Sequence, residues 1–211
     1  MSDSTFDRLL QTAVEVFAEK GFKEATVREI CTRANVNIAS VNYYFRSKQA
    51  LYSSALRFAF EEANRLHPQT EASNVSLSAE TRLGFFVHNF LHKLLDDSQL
   101  GFHGKLIARE ISDPTEAFQQ IIDEAIEPHC RLLEGIILEL VPALQTNRKA
   151  LARFMFSVLG QCLVFKHSRS VVNSLCPELI ADQVAIEECA KHITQFSLMA
   201  LTVFNNEPFD N

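Results

Sequence analysis

Tryptophan is absent from these 211 residues, and glycine and proline occur only six times each. So few turn-formers leave little room for the repeated tight turns of a sheet protein. Strand-like alternation is equally scarce, so the chain reads as all-α, with about nine helices. No apolar run approaches the roughly 20 residues a membrane-spanning helix needs. The opening MSDSTFDRLL lacks both the basic and the apolar segments of a secretion signal. The expectation is a cytoplasmic protein with no membrane partner. Five cysteines (Cys31, Cys130, Cys162, Cys176, Cys189) are an odd number, widely spaced and mostly set among apolar neighbours. That pattern argues against a disulfide framework and predicts reduced, buried thiols. There is no internal repeat and no low-complexity tract.

What is present is ordinary globular composition, 47% hydrophobic and 22% charged, with a net charge of −6. The overall sign argues against a nucleic-acid partner, but the charge is unevenly spread. Between Lys20 and Arg57 seven bases (Lys20, Lys23, Arg28, Arg33, Arg46, Lys48, Arg57) face two acids (Glu24, Glu29), a local +5 that leaves −11 for the remainder. A basic face on an acidic body can hold phosphates locally while the body discourages indiscriminate binding.

The basic stretch contains two short helices joined by a turn. A first helix, from about Thr5 to Lys20, carries Phe6, Leu10, Ala13 and Phe17 on one face and ends at Gly21. Thr26 with Glu29 three residues later forms a capping box that opens a second helix. Its Val27, Ile30 and Ala34 point inward, leaving Arg28 and Arg33 outside. Asn35, tolerant of left-handed backbone, makes the turn. A third helix, about Asn37 to Tyr44, places Val41, Tyr44 and Phe45 in one inward sector. The opposite sector holds Ala39 and Tyr43, flanked by Ser40 and Asn42. Small outer residues permit close approach to a DNA groove, Ser40 and Asn42 can read base edges, and the Tyr43 hydroxyl can reach a phosphate. Ser47 caps a fourth helix running to about His67, whose first residue, Lys48, and free amides offer a phosphate seat.

The polar segment Pro68–Ser78 reads as a connection, which divides the chain at residues 1–65 and 66–211. Helices are then expected over Glu80–Asp97 and Gly101–Ser112. A longer one, from Thr115 to about Leu140, is launched by Asp113 as cap with Pro114 and is kinked or broken at Pro128. Two more span Asn147–Ser170 and Asp182–Asn205. Their apolar faces are too wide for one core and imply a second burial against a partner subunit.

These residues carry a family resemblance. VFAEKGF, ATVREI, RANV, ASVNYYF and RSKQALY, in this order and spacing, resemble the DNA-binding domain of the tetracycline-repressor (TetR) family of bacterial transcription regulators. KLIAREISDPTEAF, EPH and VLGQCLVF resemble its CecR-like subgroup. The resemblance implies a homodimer joined through the last two helices, with a helix-turn-helix head and a larger body for a small-molecule effector. Carried over position by position, it implies phosphate contacts from Thr26 and Arg28. Asn37, Ala39, Ser40 and Asn42 would face the major groove, and Tyr43 and Lys48 would clamp the backbone. Asn35 stands where the family usually has glycine, and Ile38 where a basic or small polar residue is common.

The expected function is thus a ligand-responsive repressor that binds a palindromic double-stranded operator. A small-molecule-binding protein whose helix-turn-helix contacts other proteins, or an activator of the same fold, are the alternatives. Candidate effector contacts are Phe86, Asn89, Phe90, Phe102, His103, Arg109, His129, Gln161 and Phe165, which combine apolar surface with a few polar groups. Arg109 and Glu110 fit helix-packing ion pairs better than an effector site. His88 and His92 at i, i+4, and Cys189-x-x-His192, have metal-like spacing without an adjacent third ligand. No cysteine has an orienting residue or oxyanion-hole turn beside it, so neither metal, cofactor nor enzymatic activity is expected.

Overall fold

The structure is a computed structural model that describes residues 4–95 and 101–206. Its helices are α1 (Ser4–Glu24), α2 (Val27–Ala34), α3 (Ile38–Tyr44), α4 (Lys48–Leu66), α5 (Ala79–Leu95), α6 (Gly101–Ser112), α7 (Phe118–Ile121), α8 (Glu127–Leu140), α9 (Arg148–His167), α10 (Arg169–Leu175) and α11 (Gln183–Asn206). A π-helical stretch, Ile122–Ile126, joins α7 to α8, and short 3-10 turns lie at Pro142–Thr146 and Pro177–Ile180. No strand occurs among the described residues.

The chain divides into two compact units, one of residues 4–66 with 101–127, the other of 67–95 with 128–206. The sequence reading closed the first unit at residue 65. Instead α6 and α7 return to it, because Leu106, Ala117, Ile121 and Ala125 complete the core built by Leu9, Val16, Phe17, Ile30, Val41, Leu51 and Leu56. α1 packs on α2, α4 and α6. It therefore buries Leu9, Val14 and Val16 in addition to its expected stripe. Each such aliphatic side chain contributes roughly 1.5–3 kcal/mol on full burial. Gly21, at φ 77° and ψ 175°, kinks the end of α1 in a conformation essentially confined to glycine.

The second unit is built on Leu83, Phe86, Val87 and Leu91 of α5, Leu133, Ile136 and Ile137 of α8, Val158 and Cys162 of α9, and Ile193, Leu201 and Phe204 of α11. Buried Arg82 ties the connection to this core. Its Nε donates to the Ala72 carbonyl (2.9 Å) and its Nη1 pairs with Glu139 (2.6 Å). α5 is described to Leu95; Asp96 and Asp97 lie outside the described residues. All five cysteines are free thiols, with Cys31, Cys162 and Cys189 buried. Burial pushes the Cys162 thiol up to about 12.

Two boundaries differ from expectation. Asp113 does not cap a helix; its carboxylate meets Lys23 at 3.3 Å, and Thr115 Oγ1 accepts the Ala117 amide (3.1 Å) before α7 starts at Phe118. Pro128 does not break the chain's helical course. The π-helical stretch absorbs it, since a wider turn relieves the clash between the proline ring and the preceding turn. The α7–α8 division and the separate α10 are why eleven α-helical segments are described where about nine were expected.

Candidate nucleic-acid interface

The candidate interface is built by α2, its turn and α3. Thr26, in extended backbone, accepts the Glu29 amide at 3.1 Å and starts α2. The expected return bond is replaced: the Glu29 carboxylate takes Lys20 at 2.7 Å and Arg33 at 3.0 Å, and Arg33 also reaches Glu19 at 2.8 Å. The Lys20 ammonium, helped by Arg33, holds the Glu29 carboxyl below the usual carboxylate range. Lys20 and Arg33 are thereby spent on ion pairs with Glu19 and Glu29. Arg28 and Arg46 are exposed and make no ion pair among the described residues.

Asn35 adopts the left-handed conformation (φ 53°, ψ 51°), and its amide satisfies carbonyls at the end of α2. This is the turn expected from the sequence, made without glycine. Asn37 caps α3, its Oδ1 accepting the Ala39 amide at 2.9 Å. Val41 and Phe45 are buried, and Phe45 stacks on Phe6 with centroids 5.2 Å apart. Half-buried Tyr44 meets the edge of Phe6 (5.7 Å). With α3 anchored on that side, Ile38, Ala39, Asn42 and Tyr43 project to solvent; Ser40 is half-buried. Tyr43 is 80% exposed, its ring braced edge-on by Tyr44 at 4.9 Å.

Ser47 accepts the Ala50 amide at 3.1 Å and starts α4. Lys48 lies with its ammonium 4.6 Å from the Phe22 ring centroid and donates to the Lys23 carbonyl at 3.4 Å. One basic residue beside this face was missed. Arg46, between α3 and α4, has φ 66°, rare for a residue with a Cβ. No sequence signal marks an arginine for left-handed backbone.

The candidate effector residues divide between the units. Phe102, His103 and Arg109 belong to the first, where buried His103 sits 5.7 Å from Phe58. Arg109 Nη2 donates to the Glu19 carbonyl at 3.2 Å. Phe86, Asn89, Phe90, His129, Gln161 and Phe165 belong to the second. There Phe86 stacks on Phe90 (5.9 Å) and Asn89 Nδ2 donates to the Pro68 carbonyl (2.8 Å). Gln161 Nε2 reaches the Ser197 hydroxyl at 3.4 Å. Gln161 and Phe165 also line a groove of about 700 Å³ with Val164, Leu179, Cys189 and His192. His88 Nδ1 lies 3.1 Å from Asn89 Oδ1, and the His88 and His92 rings are 4.3 Å apart. No cluster of three or more metal-type ligands occurs among the described residues.

A buried helical scaffold that presents a short, small-faced helix beside exposed arginines defines a helix-turn-helix unit joined to an all-α body. Residues 9–55 match the model of bacterial regulatory proteins of the tetR family, and residues 79–201 match that of the C-terminal domain of the HTH-type transcriptional dual regulator CecR. The chain belongs to the TetR family of transcription regulators, with a C-terminal region of the CecR type. It is 26% identical over 179 residues to CecR of Shigella flexneri, covering 78% of this chain and 77% of that one. To the probable HTH-type transcriptional regulator YttP of Bacillus subtilis it is 29% identical over 140 residues, 66% of each chain. Among solved structures, the FadR regulator of Bacillus subtilis in complex with stearoyl-CoA superposes with a TM-score of 0.64 at 16% identity, covering 92% of this chain and 97% of that one.

Proposed function

We propose that this regulator is a homodimeric repressor whose two α3 helices read the half-sites of a palindromic operator, and that a small-molecule effector releases it. The observation that carries the reading is the solvent-facing surface of α3. Ala39 allows close backbone approach, Asn42 and Ser40 supply base-edge hydrogen bonds, and Ile38 offers an apolar contact for a thymine methyl. Tyr43, Lys48, Thr26, Arg28 and the added Arg46 surround it as phosphate contacts. Asn37 keeps its amide donors for the groove while its oxygen caps the helix.

Dimerisation is supported by apolar side chains left exposed on the last long helices: Phe156 and Val164 on α9, and Phe196, Met199 and Val203 on α11. The α11 trio is spaced i, i+3, i+7 and forms one stripe, as a helix-to-helix seam requires. The effector site of this reading is the groove of the second unit, where Phe165 and Leu179 supply apolar surface and Gln161 and His192 the polar groups. FadR, a transcriptional regulator that shares the fold, was solved in complex with stearoyl-CoA. Release from the operator follows when the effector prefers the state that DNA does not.

The test is binding to duplex DNA. Tyr43→Ala and Lys48→Ala should each weaken binding to every duplex tested, roughly tenfold for one lost phosphate contact, as seen in a gel shift at moderate salt. If both variants bind as the parent does, this face is not the DNA-binding surface.

A further inference from the structure

The motif KLIAREISDPT begins about sixty residues beyond α3, yet its Arg109, Glu110 and Thr115 bond inside the first unit, around the seat of Lys48. Glu110 on α6 is fully buried (0% exposed). Its Oε2 accepts the Tyr52 hydroxyl at 2.7 Å, and its Oε1 accepts the Thr115 amide at 2.9 Å and the Thr115 hydroxyl at 3.0 Å. A carboxylate bonded on both oxygens has one orientation, and so does the phenol it holds. Burial and the bond to Glu110 push the Tyr52 phenol well above its ordinary value, so it stays a donor.

Tyr52 lies one turn after Lys48 on the same face of α4. Its ring packs on Phe17 at 4.8 Å and on Phe22 at 5.0 Å, and Phe22 is the ring under the Lys48 ammonium. Arg109, next to Glu110, donates to the Glu19 carbonyl and lies where any side chain on Gly21 would be. A Cβ there would come within 2.8 Å of Arg109 Nη1. Adjacent residues of α6 therefore hold Phe22 from two sides, through the backbone before it and the ring behind it.

We infer that Tyr52 and Glu110 are positioning residues for DNA binding: the α6 carboxylate fixes the Tyr52 ring, that ring fixes Phe22, and Phe22 sets where the Lys48 ammonium meets a phosphate. This rests on the proposed role of Lys48 as a phosphate contact. It gives α6 an indirect part in DNA affinity, with no residue of its own on the DNA.

The experiment uses the full chain and a duplex selected by the chain from a random library, with affinity measured across salt from about 0.05 to 0.3 M. Lys48→Ala removes one ionic contact, so the slope of log K against log salt flattens by about one for each bound copy. Tyr52→Phe keeps the ring but releases it from Glu110. It should weaken binding roughly tenfold and flatten the slope by a similar amount. In the double variant the slope should be no flatter than with Lys48→Ala alone. A purely structural role for the Tyr52 hydroxyl lowers the active fraction and leaves the slope at its parental value, which overturns the inference, as does additive flattening in the double variant. If Lys48→Ala itself keeps the parental slope, the phosphate-contact reading fails and the inference falls with it. If Lys48→Ala flattens the slope and Tyr52→Phe does not, only the inference falls. Should Tyr52→Phe fail to fold, Glu110→Gln is read by the same slope, flattening supporting the inference and a parental slope overturning it.

Discussion

Two residues with side chains hold left-handed backbone on either side of α3, and their chemistry differs. Asn35 (φ 53°) is among the few residue types that tolerate the region, because its short amide can bond locally. Arg46 (φ 66°) has no such excuse, and a residue with a long side chain there costs about 1–2 kcal/mol. Strain retained beside a proposed binding face points to a role for the side chain that bears it. Arg46→Gly separates the two effects. Urea unfolding should show a gain of roughly 0.5–1 kcal/mol, while duplex binding weakens about tenfold. A variant that becomes more stable and binds DNA unchanged would leave Arg46 with no role at the interface.

At the scale of elements, α1 and α6 meet at Gly21. Alanine there must adopt glycine-only backbone and place its Cβ against the Arg109 guanidinium, so Gly21→Ala should destabilise the protein by roughly 1–3 kcal/mol from the backbone alone. Adding Arg109→Ala should recover the steric part and leave the backbone part. Thermal unfolding of the two single variants and the double variant measures this, and full recovery in the double variant would mean that the backbone conformation carries no cost.

The same junction marks how far the sequence could be read. Thr26, Asn35 and Ser47 announce the ends of α2 and the start of α4 by local chemistry, and each does in the structure what its residue type implies. The inward sector of α3 was equally legible, because a seven-residue helix with Val41 and Phe45 buried leaves little choice for the other face. The return of α6 to the first unit was not legible. Leu106 and Ile107 state that α6 has an apolar face, but periodicity does not say which core that face joins. For the same reason Glu110 read as a packing ion pair when its partners are a phenol and the Thr115 amide and hydroxyl. Pro128 announced an interruption without specifying that a π-helical turn would absorb it.

At the scale of the whole molecule, one copy of α3 exposes only Ile38, Ala39, Asn42 and Tyr43, well short of the surface that specific dimeric readers bury. The exposed stripe Phe196, Met199 and Val203 supports a second copy, and a twofold dimer imposes its symmetry on the DNA it selects. The most direct measurement is selection of bound duplexes from a random library by the intact protein, followed by sequencing. The expected result is an inverted repeat whose half-site centres are about 10–10.5 base pairs, or a whole multiple of that, apart. Enrichment of a sequence without twofold symmetry, or no enrichment at all at moderate salt, would contradict the assignment of a dimeric operator-reading face to α3.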